Sequence, residues 1–476
     1  MKIVTIGGGT GGSVIDESLA SEYPDLVSIV TSFDNGGSSG LLRKEFGMLP
    51  QGDIRRRIFA QKSTNNKVLE EIYNFRFGKS NSLESHSVGN LMILAATKIW
   101  GEKQGIKKVC ELFEIKGKVL PITYDHADLA AKLFNGQTLI GEELVGKDLK
   151  DKKIEKVYLT RDTKVNEEVL KEIAKADYII LAPGDFYTSL IPNFLVPGFC
   201  EEIMKAKKKN KNLKIIYVVN IMTKAAETRD FKLSDFISET EKYLGQKLDI
   251  IMINKTKINK KLLARYKKYE DSVPVENDLV GKDLRVIEVD MIKQNGVIRH
   301  DKKLFLEAFK NIDNVSKKTK LFVFDLDDTL INSSKYYDEF LVRDFKNLKF
   351  IKNANVILEK FKKENCILLT YDMYGLQQEK IKILNLKKYF KQIVIVKSKK
   401  DKYTFLKNLK QKNQNKNIYV VGDAHENGEL EYGKKLELKT ICVALPGSRN
   451  LNIAKHKNYD FSVESGEDFL KLTQMV

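Results

Sequence analysis

Short, unbroken runs of β-branched and other apolar residues, recurring in two series, set the fold of this 476-residue chain. KIVTI at 2–6, LVSIVT at 26–31, DYIILA at 177–182, KIIYVVN at 214–220 and LDIIMIN at 248–254 make the first series. Runs of this length without strict alternation suit strands covered on both faces, so a parallel sheet with helices on either side is expected. The pattern restarts with KLFVFDLDD at 320–328, CILLTYD at 366–372, KQIVIVK at 391–397, NIYVVGD at 417–423 and KTICVAL at 439–445. Between the series, NIDNVSKKTK at 311–320 is polar and reads as a linker. The expected class is α/β in two domains, over 1–314 and 319–476, which share no motif. A chain of this length is too long for one ordinary core.

Composition narrows the function classes. No apolar run reaches the ~18 residues that a spanning helix requires, and MKIVTIGGGTGG lacks the pattern of a secretory signal, so a cytoplasmic protein is expected. Cys110, Cys200, Cys366 and Cys442 are too scattered for a paired-cysteine zinc site or a disulfide framework. The formal charge of +18 and the basic segment KAKKKNKNLK at 205–214 raise nucleic-acid binding. Lysine scattered among Asn and Ile fits a solvated surface better, and nucleic acid is not an expected partner.

The segment Phe322 to Leu330 is an apolar strand ending in Asp325, Asp327 and Asp328. Carboxylates are costly inside a core, but at the carboxyl edge of a parallel sheet they sit where ligands bind. Alternation along an extended chain points Asp325 and Asp327 the same way, so one can attack phosphorus while the other handles a proton. This segment resembles the first motif of the haloacid dehalogenase superfamily, and the resemblance continues through Thr370, a lysine that is either Lys399 or Lys402, and Asp423. The second acid of the last motif is taken as Glu429, with Asn427 as its rival. The resemblance implies a small Rossmannoid fold with a minimal cap, because the stretch from Thr329 to Thr370 is short and NVILEKFKKEN at 355–365 reads as one helix. It also implies Mg²⁺ held by Asp325, Asp423, Glu429 and the Asp327 carbonyl. Asp325 would form an aspartyl phosphate with a phosphorylated substrate, and Asp327 would serve as acid and base.

At the other end, Gly7, Gly8, Gly9, Thr10, Gly11 and Gly12 follow the first strand directly. Glycines let backbone N–H groups approach phosphate oxygens, and a helix beginning there adds a favourable dipole. Asp34 follows the second strand, where a dinucleotide fold contacts a ribose. Gly36, Gly37, Ser38 and Ser39, then Asp53 and Arg55, add hydroxyls and an arginine suited to a diphosphate. His86, Asn90, Gly184, Tyr187, Thr188, Ser189, Asn220 and Thr223 add polar groups at strand and helix ends, and together they suggest a shared pocket.

GGGTGG, DNGGSSG, PQGDIR, HSVGN, VLPIT, PGDFYTSLIPNFLVPG and NIMTKAAET together resemble the gluconeogenesis factor family, a relative of 2-phospho-L-lactate transferase, over nearly all of 1–310. The usual pattern is departed from at Asn35, Gln51, Asp185 and Ala225-Ala226. The resemblance implies a Rossmann-like domain that binds a nucleotide-sugar such as UDP-N-acetylglucosamine and influences cell-wall precursor supply and cell shape. The transferase branch implies transfer of a phospholactyl group from a nucleotide-linked donor. PGDFYTSLIPN stands nearer the regulatory branch.

Overall fold

The computed structural model describes residues 1–463 apart from 79–82, 85, 148–152, 280–282, 284, 294–295, 318, 332, 334–344, 346–347, 352, 362, 373–374, 415, 424–427 and 444–458. Its strands are β1 (Ile3–Gly7), β2 (Val27–Val30), β3 (Lys118–Pro121), β4 (Leu129–Leu133), β5 (Thr138–Ile140), β6 (Ile154–Leu159), β7 (Tyr178–Leu181) and β8 (Lys214–Val218). They continue with β9 (Ile250–Asn254), β10 (Val286–Val289), β11 (Thr319–Phe324), β12 (Cys366–Tyr371), β13 (Gln392–Val396), β14 (Lys416–Gly422), β15 (Lys439–Val443) and β16 (Phe461–Val463). The chain divides into two compact units, one of Met1–Leu279 with Arg285–Phe309, the other of Val280–Leu284 with Lys310–Val476.

The first unit is built on a seven-stranded sheet in the order β10-β9-β8-β7-β1-β2-β3. Every pair in it is parallel, as the unalternating apolar runs require. β1 is buried at all its positions because helices cover both faces of the sheet. The order reverses between β1 and β7, which leaves a crevice beyond their carboxyl ends. A small antiparallel sheet, β5-β4-β6, is added to this frame.

The second unit carries a six-stranded sheet, β13-β12-β11-β14-β15-β16, again wholly parallel. Phe322 and Phe324 of β11 enter one core cluster with Leu368 and Val421. Leu321 and Val323 enter another with Ile367 and Val420, so alternation along β11 fills both faces. Here the order reverses between β11 and β14.

Two local expectations fail. The segment at 311–320 is not a linker: Lys302–Lys317 is one helix and β11 begins at Thr319. Its first half is amphipathic, with Phe309 meeting the rings of Tyr23 and Tyr178 at 5.7 and 5.3 Å between centroids, and that anchor nucleates a helix through the polar residues that follow. The segment 355–365 is not one helix, because Ala354–Lys360 ends where Phe361 takes an extended backbone. Phe361 turns its ring edge onto Phe322, 4.5 Å between centroids, and the aromatic contact overrides helix propensity. The short-cap expectation rests on a stretch whose residues 334–344 lie outside those described.

Candidate functional site

In the first unit the crevice between β1 and β7 opens as a cleft of about 810 Å³. The turn after β1 supplies Gly8, Gly9, Thr10 and Gly11, and the helix Thr10–Leu19 begins within it. Asp34, Asp53, Gly184, Thr188, Ser189, Asn220 and Thr223 also line it. Gly7 and Gly12 are not part of this wall. A Cβ at Gly12 would collide with the Arg57 guanidinium, and one at Gly9 with the Asp53 carboxylate, so these glycines serve close packing inside the protein. Arg57 is fully buried and pairs with the equally buried Asp16 at 2.8 Å. It also donates to Thr5 Oγ1 at 2.7 Å, tying the helix Gln51–Ala60 to β1.

The cleft is rich in carboxyl groups in unequal states. Burial, reinforced by Asp34, pushes Asp53 up to about 6, although Arg56 lies 3.0 Å away. Glu142 is pushed up to about 8 by burial and by Asp34, Asp185 and Glu227. Lys224 pairs with Asp185 at 2.6 Å and Glu227 at 3.2 Å; burial opposes its charge, yet those acids hold it above its usual value. Glu227 also accepts from the backbone N–H of Tyr187 at 2.7 Å and from Thr188 Oγ1 at 2.9 Å. Tyr187 itself packs against Phe186, away from the cleft. At the far end of the cleft stand Tyr266, Tyr269, Arg299 and His300. Tyr269 is 72% exposed, and burial lowers His300 to about 4. None of these four, nor Glu142, carries a local motif, whereas Lys224 stands inside NIMTKAAET; Tyr266 and Tyr269 come from the helix Lys260–Glu270 and Glu142 from the start of Glu142–Val145. Arg56 could have been found, since it stands in the triplet Arg55-Arg56-Arg57.

Gly36, Gly37, Ser38, Ser39, Arg55 and Asn90 do not line the cleft; with Asp34 they surround a second, smaller pocket of about 290 Å³. His86 lies behind it, its Nδ1 2.8 Å from Ser38 Oγ.

In the second unit Asp325 follows β11, Asp423 follows β14, and Glu429 opens the helix Glu429–Lys435. One oxygen of each lies within 4.8 Å of the others, and all three residues are buried. Burial, with Glu429 and Asp423 adding repulsion against the pull of Lys402, holds the Asp325 carboxyl well above its usual value. Lys402 Nζ donates to Asp325 Oδ1 at 2.8 Å and Glu429 Oε2 at 2.9 Å, whereas Lys399 is exposed at the helix start. That geometry separates the two lysines that spacing leaves equal. Glu429 Oε1 is buried with no hydrogen-bond partner. Gly422 has no side chain to displace it, since a Cβ there would collide with Glu429. Thr370 is buried near the end of β12. The Asp327 carboxylate stands apart from the trio, held by Lys380 Nζ at 2.6 Å and Gln377 Nε2 at 2.5 Å. Alternation therefore does not bring Asp325 and Asp327 onto shared partners: β11 ends at Phe324, and the chain is already turning at Asp328, whose φ is 52°. Lys380 is fully buried and had no sequence signal. Asn427 lies outside the described residues.

The first unit's winding, and a polar cleft at the reversal of its strand order, define a Rossmann-like α/β protein built to receive a ligand at the sheet edge. Residues 3–297 match the family model of 2-phospho-L-lactate transferase CofD, and the chain belongs to that family. It is 35% identical over 313 residues to the gluconeogenesis factor of Halalkalibacterium halodurans, covering 64% of this chain and 95% of that one. The gluconeogenesis factor of Bacillus subtilis is 34% identical over 309 residues, 63% of this chain and 94% of that one. A crystal structure of a protein from Bacillus halodurans superposes with a TM-score of 0.60 and 34% identity over 65% of this chain and 98% of that one. A haloacid dehalogenase-like family protein from Streptococcus pneumoniae matches at 12% identity and a TM-score of 0.26, over 33% of this chain and 99% of that one. At that level the second unit is read from its own side chains. Among the described residues no helix is long and apolar enough to cross a membrane.

Proposed function

We propose that the first unit binds a nucleotide-linked anion of the UDP-sugar type as a regulatory ligand, and that the second unit is a haloacid dehalogenase-like, magnesium-dependent phosphohydrolase. For the first unit, the supporting observation is the cleft itself. The glycine turn and the start of the helix Thr10–Leu19 face Arg56, Lys224 and Arg299, and Tyr269 offers an exposed ring for a base. Calorimetry with UDP-N-acetylglucosamine and NAD tests this: the UDP-sugar binds without turnover, and tight NAD binding in its place would refute the reading. A phospholactyl-type transferase is the second reading, favoured by Asp53, whose value of about 6 suits proton exchange with an acceptor hydroxyl. Consumption of a nucleotide-linked donor would decide for it. The link to cell-wall precursor supply and cell shape, and a cytoplasmic location, belong to the same proposal.

For the second unit, the carrying observation is the buried trio Asp325, Asp423 and Glu429. Lys402 pairs with Asp325 and Glu429, Asp423 offers an oxygen within 4.8 Å of both, and Glu429 keeps one oxygen unpartnered, a carboxylate donor set suited to a hard dication. Mg²⁺ held by these residues would supply neutralisation of phosphate charge. An Asp325 oxygen attacks phosphorus and the bond to the leaving oxygen breaks, with Asp327 giving that oxygen a proton. Water then attacks the aspartyl phosphate, Asp327 takes its proton, and phosphate leaves with Asp325 restored. Lys402 holds Asp325 in place, and Lys380 and Gln377 hold the Asp327 carboxyl. Hydrolysis of an aryl phosphate with magnesium, abolished in Asp325→Asn, is the test, and activity surviving that substitution would remove the nucleophile.

A further inference from the structure

We propose that the small pocket beside the cleft is a separate anion site, built for inorganic phosphate or a phosphomonoester. It goes beyond the cleft's nucleotide-linked ligand, because the two cavities share only Asp34 and Arg56 among their walls. At about 290 Å³ the pocket is too small for a nucleotide-sugar and ample for a phosphate.

The evidence is a buried cation whose charge the protein does not balance. Arg55 is 9% exposed, and its Nε is buried with no hydrogen-bond partner. Its one side-chain bond, Nη1 to Asn74 Oδ1 at 3.3 Å, goes to a neutral amide. No carboxylate pairs with it among the described residues; the charged groups nearest it include the guanidiniums of Arg56 and Arg76, which repel it. Arg56 is already engaged by Asp53 at 3.0 Å. A buried guanidinium beside two others is unfavourable unless an anion supplies the missing charge.

The remaining walls carry hydrogen-bond donors together with the Asp34 carboxylate, which accepts from Gly36 N–H at 2.9 Å. Ser38 and Ser39 sit in the first turn of the ten-residue helix Gly37–Phe46, which has no acidic residue in that turn and no side-chain cap. Its backbone N–H groups are therefore available to a ligand oxygen. Ser38 Oγ is fixed by His86 Nδ1 at 2.8 Å and by Asn90 Nδ2 at 3.1 Å. Asn90 Oδ1 is buried without a partner on the same wall, a polar atom that a protonated phosphate oxygen or a bound water would satisfy. An antiparallel bridge to Ser87 holds Arg76, which also lines the pocket.

Calorimetry with inorganic phosphate on the full chain, in magnesium-free buffer and with or without saturating UDP-N-acetylglucosamine, tests the site. Expected are binding that the UDP-sugar does not displace, weakening of at least tenfold in Arg55→Gln, and a smaller loss in Arg76→Gln. Arg76 is exposed, so its variant keeps the test open should Arg55→Gln fail to fold. Absence of binding at millimolar phosphate, equal affinity in both variants, or full displacement by the UDP-sugar would each overturn the proposal. Arginine-dependent phosphate binding in a chain that ignores UDP-sugars would leave this site standing while sinking the reading of the cleft.

Discussion

In the first unit β1 lies between β7 and β2, and in the second β11 lies between β12 and β14, so both sheets run outward on one side, return, and run outward on the other. Each places its chemistry at the carboxyl ends of the two strands that flank the reversal. What they put there differs. Around the cleft, some acids are paired, Asp53 with Arg56 and Asp185 and Glu227 with Lys224, while Asp34 and Glu142 repel each other across it. At the second edge three acids are buried together, two of them, Asp325 and Glu429, bound to Lys402. The same winding thus serves a wide, open cleft and a tight, buried cluster of carboxylates. The winding fixes where a site forms, and the side chains gathered there decide what it can hold.

The contrast can be broken most sharply at Asp325. Asp325→Asn should lower magnesium-dependent hydrolysis by on the order of 10³-fold or more while leaving UDP-sugar binding in the first unit unchanged, which kinetics and calorimetry on the same preparation would show. The next effect belongs to the other unit. Arg57→Ala strands Asp16 in the core and should cost about 3–5 kcal/mol, read as an earlier denaturation transition of the first unit with the second unit's activity retained. Third, magnesium at about 100 times its Kd should stabilise the second unit by about 2.7 kcal/mol in thermal unfolding, and Asp423→Asn should abolish that gain. If magnesium stabilised the first unit instead, the assignment of the metal site would be reversed.

The smallest effect depends on pH. Asp53 ionises at about 6 in the fold, above the ordinary 3.8. Below about pH 3 both folded and unfolded chains carry its proton and it imposes no penalty. As pH rises toward 6 the unfolded chain releases that proton first, so stability falls and then levels off. Asp53→Asn should therefore be neutral at about pH 3 and stabilising by about 1–3 kcal/mol at pH 7, measured by denaturant titration at both values.

The central strands were legible because each buries both faces and so needs an unbroken apolar run. β4, β5 and β6 were not, since β6 buries little beyond Val157 and charged residues interrupt its pattern. Asp325, Asp423 and Glu429 could be named because they follow strands or open a helix in recognisable order. Lys402 could be separated from Lys399 only by a three-dimensional fact, that a helix capped by Ser398 turns one lysine inward and leaves the other outside. Lys380 was invisible, because a buried lysine on a helix has the same sequence pattern as a solvated one until its carboxylate is located. The glycine run was read as a cradle for phosphate, and part of its reason is internal: Gly12 makes way for Arg57 and Gly9 for Asp53.

Gly422 has a similar hidden role. It contributes no donor, acceptor or charge, yet the space it leaves is where the third acid of the trio rests. Adding even a methyl group there would evict Glu429, so a random search for inactive second units should return position 422 beside the acids themselves. A blank in the sequence can thus be as demanding a requirement as any carboxylate.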